Sequence, residues 1–289
     1  MLSGVTSQFA VSAPSVNVAP GTDFTIAGVP ITNAILLGWI ICGLSIVLLA
    51  YVARKVTIRP KGGFIQYVEA GVSFVTDMVT GAFDDKAVGR KYVPFFVTLF
   101  FFILFNNWSE LIPGVGDSLL VHGHPLLRPM TADLNTTLVL GLVTMVLVYV
   151  ASVREVGGIG KYLRHFFMGS PFNPLYFAIG LIEMLTDLTR ALSLALRLFL
   201  NITIGDIVIV VFAYLGSLLA PVSVLAPITA LPFTLLEFGV CILQAYIFVI
   251  LAVNYLAITV NSAHNHDLTE EEPTETIGTV EAAPQGVRG

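Results

Sequence analysis

Charge is scarce in this sequence. Of 289 residues only 11% are Asp, Glu, Lys or Arg, while 56% are hydrophobic. An ordinary soluble domain carries roughly 25% charged residues. The mean hydropathy of +0.87 says the same. A water-soluble globule is excluded, and an integral membrane protein remains. Cysteine is scarcer still. Cys42 and Cys241 stand in separate apolar segments, which gives neither a disulfide framework nor metal-ligand spacing. The net charge of −5 comes without a basic arm, so nothing points to nucleic acid. The opening stretch MLSGVTSQFAVSAPS holds no Lys or Arg, which argues against a signal peptide and against an Arg-rich transit peptide.

What is present is apolar length. A helix spans a bilayer with roughly 20 apolar residues. Residues 31–53, 92–111 and 134–153 are runs of that size, and two longer runs cover 174–219 and 228–261. Pro221, Pro227 and Pro232 mark the turn between the long runs. A helix of about 40 residues is about 60 Å long, twice the hydrocarbon thickness, so these two are expected to tilt strongly or run partly along the membrane plane. Residues 63–82 differ. Phe64, Tyr67, Val68, Val72, Val75, Met78 and Val79 recur at helical spacing, but Glu69 and Asp77 interrupt any clean span. That pattern fits an amphipathic helix at the membrane surface.

The expected fold is therefore all-α: a polytopic membrane protein with about five membrane helices plus one amphipathic surface helix, the last two long, tilted and forming a hairpin. The expected organisation is an exposed N-terminal segment (1–28), a membrane domain (29–262) and a disordered cytoplasmic tail (263–289). Arg54, Lys55, Arg59, Lys61, Lys86, Arg90 and Lys91 flank the surface helix, and Arg154, Lys161 and Arg164 fill a later loop. The N-terminal segment has no such residue, and the Gly-, Pro- and His-rich loop 113–133 has only Arg128. The positive-inside rule places the basic loops and the C-terminus in the cytoplasm and the N-terminus outside. No two-fold internal repeat is visible, which counts against an inverted-repeat transporter.

Polar residues inside the long runs carry the functional signal. With Arg197 at the zero of a helical wheel, Ser193 and Asn201 fall at about −40° and +40°, Arg190 at about +20° and Glu183 at about +40°. These five share one face. Asp206, nine residues on, points roughly the opposite way. In the last run Glu237, Cys241 and Gln244 share a face, and Asn107 and Glu110 form an i, i+3 pair near the outer end of an earlier span. Plain readings exist for each. Arg190 can snorkel; Asn107, Ser193, Asn201 and Gln244 can be interhelical hydrogen-bond glue; Arg197 can sit in a static ion pair; Glu110 can lie at headgroup level. His122 and His124 read as solvated loop residues. The set argues otherwise, because intramembrane ionisable residues mark ion pathways and proton relays.

The stretch LSLALRLFLNITIGD (Leu192 to Asp206) closely resembles the signature of the subunit a family of F-type ATP synthases, in which an essential arginine precedes Leu-Phe-x-Asn and then an acidic residue near Gly. LQAYIFVIL (Leu243 to Leu251) resembles that family's last-helix motif, and NNWSELIPG and TADLNTTL match earlier motifs in order. The resemblance runs from about residue 30 to 260. It implies a non-catalytic channel subunit, without cofactor, of a complex that makes ATP. Its implied partners are a ring of c subunits, b-type peripheral stalk subunits, the rest of the ATP synthase and the bilayer. By position, Arg197 would face the ring carboxylate, flanked by Ser193 and Asn201. Asp206, Glu237 and Gln244 would belong to a half-channel, with Asn107 and Glu110 near its outer entrance, and Glu183 and Arg190 toward the cytoplasm. A bacterial plasma membrane is the implied location. Two departures stand out. Leu200 occupies a position that is often Gly, so altered packing against the next helix is expected. Glu237 stands where many relatives have His, paired here with Asp206. The competing readings are a secondary transporter whose Arg197 binds an anionic substrate, and a structural anchor.

Overall fold

The computed structural model describes residues 22–26, 29–55, 63–112, 115, 120–121, 124–125, 128–160, 162, 174–219 and 225–271. The apolar runs become helices. α1 is Asn33–Lys55, α2 Phe64–Ala82, α3 Lys86–Ser109, α4 Leu134–Glu155, α5 Pro174–Leu219 and α6 Leu225–Glu271. Among the described residues, five helices are long and apolar enough to cross a membrane: α1, α3, α4 and parts of α5 and α6. The chain is a multi-pass, all-α membrane protein. Two short antiparallel hairpins lie outside the spans, β1 (Thr22–Ile26) with β2 (Val29–Thr32) and β3 (Leu120–Val121) with β4 (His124–Pro125). A 3-10 turn, Met130–Ala132, leads into α4.

Helix starts follow capping chemistry. The Asp85 side chain accepts from Ala87 N at 2.8 Å, so α3 begins six residues before the expected start at 92 and carries Lys86, Arg90 and Lys91 itself. Asp133 caps α4 in the same way, accepting from Asn135 N at 3.1 Å. The hairpin of α5 and α6 takes 46 and 47 residues. Helix α6 continues to Glu271, beyond the expected boundary at 262. The rest of the expected tail, and residues 1–21 of the N-terminal segment, lie outside the described residues.

The core sits where α6 runs between its neighbours. Phe96, Phe100 and Ile103 of α3, Val75 and Val79 of α2, and Leu194 and Leu198 of α5 bury against Phe248, Val249, Val253 and Leu256 of α6. Helix α2 is amphipathic as expected: Val68, Val75 and Val79 face inward, while Phe64, Tyr67 and Phe74 are exposed. Outward apolar residues such as Trp39, Leu44 and Val47 on α1 suit a lipid environment.

Two polar clasps join helix ends. Glu155, closing α4, takes Lys91 Nζ at 3.2 Å and the Tyr92 hydroxyl at 2.8 Å, both from the start of α3. Asn261 of α6 donates to the Ala82 carbonyl at 3.3 Å and accepts from Asp84 N at 3.3 Å, holding the end of α2. The clasps place the basic ends of α3 and α4 together, and tie the late part of α6 to the surface helix.

Candidate functional site

Helix α5 has two unlike faces. Ala191, Leu194, Ala195, Leu198 and Ile202 are buried at helical spacing. Against this face α4 comes close: a Cβ on Gly141 would meet Ala195 Cβ at 3.2 Å and the Ala191 carbonyl at 3.3 Å. The other face is an exposed stripe made of Arg190, Ser193, Arg197, Leu200, Ile204, Val211, Leu215 and Leu218. Arg197 sits within it, apolar on the C-terminal side. Leu200 is on this stripe as well, 48% exposed, one turn from Arg197. Asn201 is half-buried at the edge. The backbone of Glu183 is helical in α5, but its side chain lies outside the described residues.

Arg190 does not simply reach for water. Its guanidinium donates to the Tyr255 hydroxyl of α6 and lies over that ring, 4.6 Å from the centroid. The contact crosses the hairpin about 10 Å along α5 from Arg197.

The acids gather elsewhere. Gly205 packs directly on the Glu237 carboxylate, and a Cβ there would collide with it. Asp206 and Glu237 therefore meet across the hairpin and interact electrostatically. Glu110, just past the end of α3, interacts with both, and with Arg128. Glu237 is 4% exposed, and the Cys241 thiol one turn on donates to its Oε1 at 3.9 Å. The end of α3 is pinned here by Trp108, which stacks on Phe238 of α6 at 4.8 Å and packs against Ala132, Ile202 and Cys241. The cluster begins about 13 Å along α5 from Arg197, on the side opposite to Arg190.

Polar atoms without a protein hydrogen-bond partner concentrate in the same helices. They include both amide atoms of Asn107, Trp108 Nε1, both carboxylate oxygens of Glu110, Thr131 Oγ1, Thr203 Oγ1 and Gln244 Nε2. Asn107 and Gln244 are buried, at 0% and 3% exposure. Groups of this kind take up water when space permits.

The structure thus groups Glu110, Asp206, Glu237 and Asn107 apart from Arg197, Ser193 and Arg190. It adds one residue that the sequence did not single out. Arg128, read as a lone loop charge, is 7% exposed and donates to the Ala132 carbonyl at 3.2 Å. A cation flanked by Leu127 and Pro129 just before a membrane run is the signal that was there to find.

A family model described as "ATP synthase A chain" matches residues 35–257. The ATP synthase subunit a of Moorella thermoacetica is 31% identical over 251 residues, 86% of this chain and 99% of its own. Subunit a 1 of Syntrophotalea carbinolica is 33% identical over 241 residues, covering 82% and 87% of the two chains. The same protein of a Sulfurihydrogenibium species is 33% identical over 214 residues, 74% and 89%. A match that runs from α1 into α6, together with a relative aligned over 99% of its own length, shows that this chain belongs to the ATP synthase subunit a family.

Proposed function

We propose that this chain is the proton-translocating stator of an F-type ATP synthase, non-catalytic itself, working against a rotating ring of c subunits and held by b-type peripheral stalk subunits. The observation that carries the reading is the division of α5: Arg197 on an exposed, largely apolar stripe, and the acids of the hairpin, half-buried Asp206 and buried Glu237, on a separate side. An exposed stripe that carries Arg197 and is apolar on its C-terminal side suits a moving carboxylate on a neighbouring subunit. As that carboxylate passes Arg197, the positive charge favours its ionised form and the proton leaves. Arginine cannot carry the proton onward, because it does not deprotonate in proteins. Arg197 therefore separates two aqueous half-channels, and protons cross only by riding the ring.

The acid cluster, lined by Asn107 and Gln244 with polar atoms suited to water, serves as the outer half-channel. Its distance from the basic helix ends supports this sidedness. Asn261, beside the surface helix, lies 24 residues after Glu237, about 36 Å of helix. With the basic ends in the cytoplasm, the N-terminus is outside, the C-terminus inside, and the membrane is a bacterial plasma membrane. Arg190 and Tyr255 then stand on the cytoplasmic side of Arg197. The secondary-transporter reading expects discontinuous helices at the midplane; α5 and α6 are continuous through the region.

The test is Arg197→Ala. ATP-driven proton pumping in inverted vesicles is expected to vanish while the subunit remains in the membrane and co-purifies with a ring of small hydrophobic subunits. Arg197→Lys is also expected to fail, since lysine sheds its proton when desolvated and lacks the planar fork. Normal pumping by Arg197→Ala overturns the reading.

A further inference from the structure

A turn of three residues stands between α1 and the acid cluster. Met130–Ala132 touches α1, α3, α4 and α5. Its two ends meet different neighbours. Ala132 is buried with Ile202 of α5 and Cys241 of α6, against Trp108. These residues adjoin the acids. The Cys241 thiol reaches Glu237 Oε1 at 3.9 Å, and Ile202 lies one turn before Gly205, on which the Glu237 carboxylate packs. Met130 meets α1 instead. Its thioether takes the place of a side chain on Gly38: a Cβ there would run into Sδ and come within 3.0 Å of Met130 Cβ and Cγ. Gly38 is buried, with Leu37 and Ile41 buried beside it. Helix α1 therefore receives the turn because Gly38 has no side chain and the methionine chain is slim and adaptable. Met130 is not sealed in. It is partly exposed, whereas Met145 of α4 is 3% exposed.

We propose that Met130 is an oxidation site, and that its sulfoxide lifts the turn off α1 and slows proton uptake. The effect on uptake rests on the half-channel reading above; the oxidation does not. The oxidant is a hydroperoxide. The Sδ lone pair attacks one peroxide oxygen, the S–O bond forms and the O–O bond breaks. With hydrogen peroxide, the transferred hydroxyl gives its proton to the departing hydroxide, which leaves as water. The thioether loses two electrons and the peroxide gains them. The product is polar and one atom larger. Against Gly38 it has no room, and the Leu37 and Ile41 side chains offer it no hydrogen-bond donor. The turn moves outward, and Ala132 is drawn off Cys241 and Ile202, which loosens the packing behind Glu237.

The experiment treats membrane vesicles, stripped of the soluble head, with graded hydrogen peroxide. Peptide masses give the oxidised fraction of each methionine, hydrogen exchange reports on residues 128–137, and passive proton flux is measured per assembled subunit. Met130 is expected to oxidise well ahead of Met145. Exchange at 128–137 is expected to quicken, and flux to fall several-fold in step with the oxidised fraction of Met130. Met130→Leu nearly keeps the volume and cannot form a sulfoxide, so its flux is expected to hold through the dose range. Gly38→Ala is expected to lower flux with no peroxide present, and adding Met130→Ala to restore much of it. Oxidation of Met130 no faster than that of Met145, unchanged flux at full oxidation of Met130, or an equal peroxide loss in Met130→Leu overturns the proposal. Should Met130→Leu fail to assemble, the Gly38→Ala series decides: no recovery in the double variant overturns it. Untreated Glu237→Gln separates the two readings. Wild-type flux in that variant overturns the half-channel, whereas the order of oxidation and the loosened turn do not depend on Glu237.

Discussion

Gly205 shows how much one absent side chain decides. The Glu237 carboxylate occupies the space a Cβ would take, so Gly205→Ala has to push the carboxylate away from Asp206. The backbone need not move, because a glutamate side chain swings aside more easily than a helix. The expected outcome is a several-fold fall in passive proton flux with little loss of assembled subunit, and partial recovery when Glu237→Asp shortens the displaced acid. Wild-type flux in Gly205→Ala shows that the close approach has no role in conduction. The acids themselves were legible in the sequence, because a charge within an apolar run stands out against its neighbours. The wheel also turned Asp206 away from Arg197, toward the side where Glu237 and Glu110 meet it. Arg128 was not legible as a partner, since a charge in a Gly- and Pro-rich loop looks solvated until tertiary packing covers it. Nor was the outward direction of Leu200, which depends on where α4 and α6 lie around α5.

The elements were read from apolar length and periodicity, and those signals located the five membrane-length helices among the described residues and the amphipathic α2. Their ends came from polar chemistry that periodicity does not carry: the Asp85 cap lengthened α3, and short strand pairs formed in stretches too brief for an alternating pattern to register. The clasps between ends are equally non-local. Asn261→Ala removes both bonds to the end of α2, and at about 0.5–1.5 kcal/mol each the expected cost is about 1–2 kcal/mol, partly offset by water at this exposed edge. A lowered thermal midpoint of the detergent-solubilised complex checks it, with α2 released first in hydrogen exchange. Glu155→Gln is expected to cost less than about 1 kcal/mol, since the Lys91 partner is exposed and surface ion pairs contribute little, while the amide oxygen still accepts from Tyr92. A larger loss in Glu155→Gln than in Asn261→Ala contradicts this ranking.

At the scale of the whole molecule, burial by protein and access to water part company. Asn107, Glu237, Gln244, Leu198 and Val249 are all buried within the chain, so solvent exposure of the protein does not distinguish a conducting path from a packed core. Polarity does. Asn107 and Gln244 present buried amide atoms without protein partners, and Glu237 adjoins two further carboxylates, whereas Leu198 and Val249 sit among Phe248, Val253 and Leu256 in a hydrocarbon core. A polar cavity holds water and an apolar one stays dry. The two sets therefore differ in reactivity toward a small hydrophilic thiol-directed cation such as silver, once Cys42 and Cys241 are removed. Asn107→Cys, Asp206→Cys, Glu237→Cys and Gln244→Cys are expected to be blocked rapidly, and from the outer side, with proton flux lost as they react. Leu198→Cys and Val249→Cys are expected to react at least tenfold more slowly, as thiols lacking a water path. If the half-channel runs through the acid cluster, the order of blocking from outside follows depth: Asn107→Cys near Glu110 first, Gln244→Cys last. Equal rates across the polar and apolar sets exclude a defined aqueous path, and faster blocking from the cytoplasmic side places the cluster on the opposite half-channel.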